Sequence, residues 1–178
     1  MDVIAHGLWV GIGLAAVAHK RRITRRTAVA TVAMAVVPDL PQLIPVLVAA
    51  IFANGGFKLL VDYASALPGF EPALPPWVAT LTHHLHCVMH SAVVAAAASL
   101  LVFVGRWTWW LPLLGWWSHI VIDVFTHSAE FYPSPVLYPF TYWGFDGIAW
   151  NEPWFMAANY LGIGVAVLLL LRRRLRRR

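Results

Sequence analysis

Five long apolar segments are the feature that most constrains the fold of this chain. They cover about residues 3–18, 27–52, 77–104, 109–127 and 154–171. A helix needs about 20 mostly apolar residues to cross a bilayer. Only 12% of the residues are charged and the mean hydropathy is +0.68, whereas soluble domains carry about 25% charged residues. The sequence therefore predicts an all-α integral membrane protein, with about five transmembrane helices in a single domain over 1–178.

The positive residues lie in two blocks that flank apolar segments, at 19–26 and 172–178, with Arg106 between the third and fourth segments. Alternating the chain through five spans brings all three to one face, which the positive-inside rule identifies as cytoplasmic. We therefore expect a multi-pass protein of the inner (cytoplasmic) membrane, with its N-terminus outside and its C-terminus in the cytoplasm. The two blocks suit anionic lipid headgroups. No nucleic-acid partner is expected, because that would require positive charge along a polar face.

Two connecting segments then fall on the outer side. Residues 53–76 place five apolar side chains at helical spacing, which predicts either an amphipathic helix in the membrane interface or an ordinary connecting loop. These are Phe57, Leu60, Tyr63, Ala64 and Leu67. Residues 128–153 are rich in aromatic residues and proline. Aromatic residues favour the headgroup level and prolines exclude a continuous helix, so we predict a structured loop on the outer membrane surface.

Several histidines and aspartates lie inside the apolar segments. Such groups are costly in lipid and normally turn toward the interior of a helix bundle, where they serve a function. They are His6, Asp39, His83, His86, His90, His119 and Asp123. At 1.5 Å of rise per residue, all except His90 fall in one layer of the outer half of the membrane. His90 is expected deeper and His127 near the outer boundary.

Helical phase directs these groups toward one another. His83, His86 and His90 share one helix face, and a second face carries His119, Asp123 and His127. Imidazole and carboxylate donors without a thiolate predict a divalent metal, with zinc favoured and one or two ions accommodated. Two alternatives remain open, namely histidines that only pack between helices, and an Asp39 carboxylate that only caps backbone amides freed by the neighbouring prolines.

The order of short motifs resembles that of the YdjM-like family, a bacterial and archaeal group of inner-membrane proteins described as metal-dependent hydrolases and as LexA-binding. The motifs are "AHG" (5–7), "PDLP" (38–41), "HHLHCVMHS" (83–91) and "SHIVIDVFTHSAEFYPSPVLYPF" (118–140). The resemblance covers most of the chain. The order of the ligands is also similar to that of zinc-dependent phospholipase C and related nucleases.

The resemblance implies a ligand set, which matches this sequence residue by residue. The matching ligands are His6, Asp39, His90 beside Ser91, His119 and Asp123. The chain departs from the family pattern in two places. Pro41 replaces a second aspartate, and either His84 or His86 matches the upstream histidine of the third motif, with His86 favoured by helical phase.

These observations predict a membrane-embedded metal-dependent hydrolase acting on a lipid-borne ester or phosphoester. His6, Asp39, His86, His90, His119 and Asp123 are the predicted ligands. Glu130, or a carboxylate such as Asp123 that the metal does not need, is the predicted general base. The aromatic loop is expected to bind substrate through Phe131, Tyr138 and Trp143. One alternative is a non-enzymatic assembly or accessory subunit with a protein partner and a structural cluster, and another is a proton or metal-ion pathway.

Overall fold

The computed structural model describes residues 1–18, 22–52, 56–66, 70–105, 109–130 and 133–176. Within these ranges the chain forms eight α-helices, one 3₁₀ turn and no β-strand, which confirms the predicted all-α class. The helices are α1 (Val3–Val17), α2 (Arg25–Val36), α3 (Leu43–Phe52), α4 (Gly56–Ser65), α5 (Pro76–Met89), α6 (Ala92–Gly105), α7 (Trp110–Thr126) and α8 (Pro153–Leu175). The 3₁₀ turn covers Val37–Asp39, between α2 and α3.

Among the described residues, one helix is by itself long and apolar enough to cross a membrane. This helix is α8, with 23 residues. Two further pairs satisfy the same test only when each is taken as one bent span: α2 with its 3₁₀ turn followed by α3, and α5 followed by α6. The remaining apolar helices are shorter, with 15 residues in α1 and 17 in α7.

Two of the predicted spans are therefore broken: segment 27–52, in which the prolines predict an interruption, and segment 77–104, which was predicted to be continuous. The predicted segment 27–52 bends by 62° after the 3₁₀ turn. Pro38 and Pro41 explain this break, because proline lacks the backbone N–H and its ring clashes with the preceding helical turn. The predicted segment 77–104 bends by 57°. Here the side chain of Ser91 accepts from the N–H of Val94 (3.1 Å) and caps a new helix.

The helices surround the polar centre in a single bundle. α7 packs most extensively on α2, while α1 packs on both α2 and α8. α7 and α2 approach closely enough that a Cβ on Gly115 would lie 2.1 Å from the carbonyl oxygen of Thr31. Between α1 and α8, Trp9 Nε1 donates to Asn159 Oδ1 (2.9 Å). The buried apolar residues in the described ranges form three small clusters between the helices rather than one large core.

Residues 56–65 form the amphipathic helix that was one of the two alternatives for this segment. On α4, Leu60 and Tyr63 pack against a buried cluster that includes Val46 and Val78, whereas Phe57 is 73% exposed. Leu67 lies outside the described residues. The described part of 128–152 consists of turns and segments without regular secondary structure and contains no α-helix, as its prolines predict.

Candidate metal centre

Four side chains bring one donor atom each to within 4.8 Å of all the others, and all four are buried. We call Asp39, His90, His119 and Asp123 the four-donor group. Asp39 reaches it from the 3₁₀ turn and His90 from the bend between α5 and α6. His119 and Asp123 come from α7, where a spacing of four residues places both on one helix face.

The geometry of the group is close to that of ligands around one cation. His90 Nε2, His119 Nε2 and Asp123 Oδ2 are separated from one another by 3.0, 3.0 and 3.1 Å. Asp39 Oδ1 lies 3.4 Å from His90 Nε2 and 3.5 Å from His119 Nε2. Tetrahedral ligands at about 2.0–2.2 Å from zinc are separated by about 3.3–3.6 Å. The two distances to Asp39 fall in this range and the other three are about 0.2–0.3 Å shorter, so the four donors lie close enough together to hold one metal ion.

The hydrogen-bond partners of the two imidazoles support this assignment. His119 Nδ1 donates to the carbonyl oxygen of Ala35 (2.8 Å), and His90 Nδ1 donates to that of His86 (2.9 Å). A carbonyl can only accept, so each Nδ1 carries a hydrogen, and each ring when neutral presents the Nε2 lone pair to the centre. This is the arrangement by which proteins fix the tautomer and orientation of metal-binding histidines.

The two oxygens of Asp123 have different surroundings. Oδ1 accepts from His6 Nε2 (2.9 Å), from Thr126 Oγ1 (3.3 Å) and from the amino group of Met1. Oδ2 has no hydrogen-bond partner among the described residues and faces the two Nε2 atoms of the group. A buried carboxylate oxygen in such a position is costly unless a positive charge lies close to it. The cluster can therefore hold a metal ion.

Two predicted ligands lie beside the group rather than in it. The His6 ring stacks on His119 at a centroid distance of 3.9 Å. Nε2 of His6 is hydrogen-bonded to Asp123 Oδ1. The buried His86 ring stacks on His90 at 4.0 Å. The other histidine that could match the upstream position of the third motif is His84, whose Nδ1 lies 3.4 Å from the Tyr138 hydroxyl oxygen. Of these two alternatives, His86 is the one beside the site.

The depth predicted for His90 was wrong. Counting residues along a straight helix placed it below the other groups, yet its Nε2 lies 3.0 Å from His119 Nε2. The reason is that α5 ends at Met89, so His90 occupies the bend and is not part of a continuous span. His127, expected near the outer boundary, is buried in the protein, and its Nε2 lies 3.6 Å from Asp123 Oδ1.

Among the described residues, one cavity reaches the four-donor group and a second is lined by His86, which stacks on His90. The first measures about 290 Å³ and reaches the group through Asp39. Its lining is mostly apolar, and it also includes Gln42, Glu71, His86 and His127. The second measures about 370 Å³ and is lined by Glu71, His83, His86, Glu130, Pro133, Pro135 and Tyr142. Because Glu71 and His86 line both, the two cavities adjoin there.

The structure distributes the other predicted residues differently. Glu130 is exposed and lines the second cavity but not the first. Trp143 is 62% exposed, and neither it nor Tyr138 lines either cavity. Phe131 lies outside the described residues. Sequence reasoning missed Tyr142 and Glu71, because nothing in their local pattern distinguishes them from other residues of the connecting segments.

Comparison of the chain with protein-family profiles, curated proteins and solved structures finds no match. The resemblance to the YdjM-like family therefore stays a prediction from short motifs.

Proposed function

We propose that this protein is a membrane-embedded, metal-dependent hydrolase that acts on an ester or phosphoester of a membrane lipid. The observation that carries the proposal is the convergence of the four-donor group, in which the two imidazole rings are oriented by hydrogen bonds to backbone carbonyls. A bound divalent cation, with zinc favoured by the donor types, would polarise a carbonyl or phosphoryl oxygen and activate water near neutral pH. The four-donor group has donor atoms for one such ion.

The arrangement favours a catalytic site over a closed structural one. His90, His119 and Asp123 form the tighter set, at 3.0–3.1 Å, and would be the three protein ligands, whereas Asp39 lies slightly farther away on the side of the first cavity and would border an open position. Catalytic zinc sites typically combine three protein ligands with an open position, whereas structural sites are closed. The adjoining cavity gives a substrate access to Asp39, which distinguishes this proposal from an accessory subunit with a purely structural cluster.

Asp39 is the group placed to accept a proton. Its Oδ2 is buried and has no hydrogen-bond partner among the described residues, and the residue lines the first cavity. In hydrolysis the oxygen of water bonds to the acyl carbon or phosphorus, the ester C–O or P–O bond breaks, and the departing oxygen takes a proton. Asp39 would accept the proton of the attacking water, and His127, on the same cavity wall, would supply one to the departing oxygen.

The surface supports the membrane part of the proposal. Large apolar side chains are widely exposed, among them Phe52 (84%), Leu101 (75%) and Leu161 (70%). With each bent pair counted as one span, α1, α7 and α8 complete five. The basic blocks 19–26 and 172–178 would then contact anionic headgroups on the cytoplasmic face. Residues 19–21 and 177–178 lie outside the described residues.

A labelling experiment tests this topology in a Cys87→Ala background. A membrane-impermeant maleimide should label Phe140→Cys in intact spheroplasts, and should label Arg174→Cys only after lysis. The opposite pattern, or equal labelling of both before lysis, would reject the proposed orientation.

The activity is tested with purified protein reconstituted in vesicles of mixed bacterial phospholipids. Mass spectrometry should detect hydrolysed lipid with Zn²⁺ present, and chelation by EDTA should abolish the product. The variant His119→Ala with Asp123→Ala should lose at least about a hundredfold of the rate, whereas His84→Ala, outside the four-donor group, should retain it. Absence of product from the zinc-loaded protein with every lipid class would reject the hydrolase proposal.

A further inference from the structure

The second cavity differs in chemistry from the first. It presents the carboxylates of Glu71 and Glu130 and the aromatic ring of Tyr142, and no lysine or arginine is among its described lining residues. The Tyr142 ring stacks on His83 at a centroid distance of 5.6 Å and is 54% exposed. Carboxylates and an aromatic ring together suit an organic cation, which aromatic faces bind by cation–π attraction.

A metal ion does not explain the second cavity equally well. Among the described residues, the four-donor group is the one set of histidine, cysteine and carboxylate donors that converges to metal-binding distances. Glu71, Glu130 and His83 do not converge in that way, although they line one cavity. Dispersed carboxylates around about 370 Å³ suit a cation with the size of an ammonium headgroup.

The two cavities together offer an apolar part and a charged part, as the binding of an amphiphile requires. The first is lined by apolar residues such as Ile4, Leu43 and Trp150 and by polar residues that include Asp2 and Asp39. Asp39 Oδ2 is buried and has no hydrogen-bond partner in the described part of the chain. The second adjoins it at Glu71 and His86. A hydrocarbon chain in the first cavity and a positive headgroup in the second would place the linking ester or phosphoester near Asp39 and His86.

We propose that the two cavities bind one lipid whose headgroup carries an amine or a quaternary ammonium. The aliphatic part occupies the first cavity, and the positive charge lies between Glu71, Glu130 and the face of Tyr142. This inference rests on the proposed function for the position of the scissile bond, but the binding itself does not require hydrolysis. It also gives Glu130 a role in headgroup binding in place of the predicted proton transfer.

The test compares two soluble probes that share an octyl chain and a phosphodiester, octylphosphocholine and octylphosphoglycerol. Calorimetric titration of the protein in phosphatidylglycerol nanodiscs should show about tenfold tighter binding of the phosphocholine probe, the factor that about 1.4 kcal/mol corresponds to. Choline chloride alone should bind much more weakly, because it leaves the first cavity unfilled. Equal affinity for the two octyl probes would overturn the inference.

Variants of the second cavity test whether its carboxylates cause the tighter binding of octylphosphocholine. Glu71→Gln with Glu130→Gln should remove the preference while leaving binding of octylphosphoglycerol unchanged or stronger. Glu152→Gln makes the same chemical change at an exposed position outside both cavities and should keep the preference. If the double variant does not fold, each single variant should lose part of the preference. A preference unaffected by either carboxylate would contradict the assignment. A headgroup preference without any lipid hydrolysis would reject the proposed activity but support the binding inference.

Discussion

Gly115 lies where α7 crosses α2, one helical turn before His119. A Cβ at this position would lie 2.1 Å from the carbonyl oxygen of Thr31, about 1.3 Å less than the 3.4 Å at which ordinary contact begins. The obstacle is backbone, so no rotamer change relieves it. Gly115→Ala therefore requires α7 to move away from α2.

The size of the effect follows from that displacement. His119 Nδ1 now donates to the Ala35 carbonyl at 2.8 Å, and a separation of the two helices by about 1.3 Å lengthens this distance to about 4 Å, beyond hydrogen-bonding range. We expect overpacking to lower the free energy of unfolding by about 1–3 kcal/mol. Loss of the orienting hydrogen bond should weaken metal binding by about 10–100-fold.

The assay measures thermal unfolding in detergent and zinc affinity by competition with a chelating dye. The matched control is Gly164→Ala on α8, where a Cβ meets nothing within 4 Å. Alanine there should be neutral or stabilising by about 0.5–1 kcal/mol. If Gly115→Ala unfolds at the same temperature as Gly164→Ala and binds zinc equally well, the proposed link between helix crossing and metal site is refuted.

Three further changes have defined outcomes. His6→Ala removes the donor to Asp123 Oδ1, so zinc affinity should fall by about 10–100-fold without being abolished, as measured by dye competition. Ser91→Ala removes the cap of α6 and a hydrogen bond of 2.6 Å to the Tyr138 carbonyl, so the free energy of unfolding should fall by about 1–2 kcal/mol. Trp9→Phe removes the hydrogen bond to Asn159 and should cost about 0.5–1.5 kcal/mol in thermal unfolding, with the metal content unchanged.

Each of these three predictions has a control variant or an outcome that would contradict it. Complete loss of zinc in His6→Ala would mean that His6 is itself a ligand. Ser65→Ala, at an exposed serine of α4, should leave stability unchanged, and equal stability of Ser91→Ala would contradict its capping role. Trp154→Phe, at a 58% exposed tryptophan, is the control for Trp9→Phe, and loss of metal in Trp9→Phe would contradict the assignment of that contact to helix packing.

The residues predicted best from the sequence were those whose position depends on local periodicity. His119 and Asp123 share a face because four residues nearly complete a helical turn, and the structure places both in the four-donor group. Pro38 and Pro41 predicted the interruption that presents Asp39. The amphipathic spacing in 56–65 correctly included a helix among its two alternatives.

The features that the sequence did not predict depend on tertiary arrangement. The bend at Ser91 carries no proline, and the apolar residues continue through it, so composition predicted one straight span. The cap at Ser91 is a local signal, but a serine in a helix can equally bond back to a preceding carbonyl. The cavities, and Tyr142 and Glu71 in their walls, form only when distant segments meet. Periodicity within any one segment therefore does not reveal them.

The metal content of the purified protein tests the central claim most directly. Elemental mass spectrometry of the wild-type chain should find about one divalent metal ion per molecule, as expected for a group of four converging donors. The variant His119→Ala with Asp123→Ala should contain close to none, while His84→Ala should match the wild type. Equal, near-zero metal in the wild-type chain and in the double variant, even after incubation with zinc, would contradict the account.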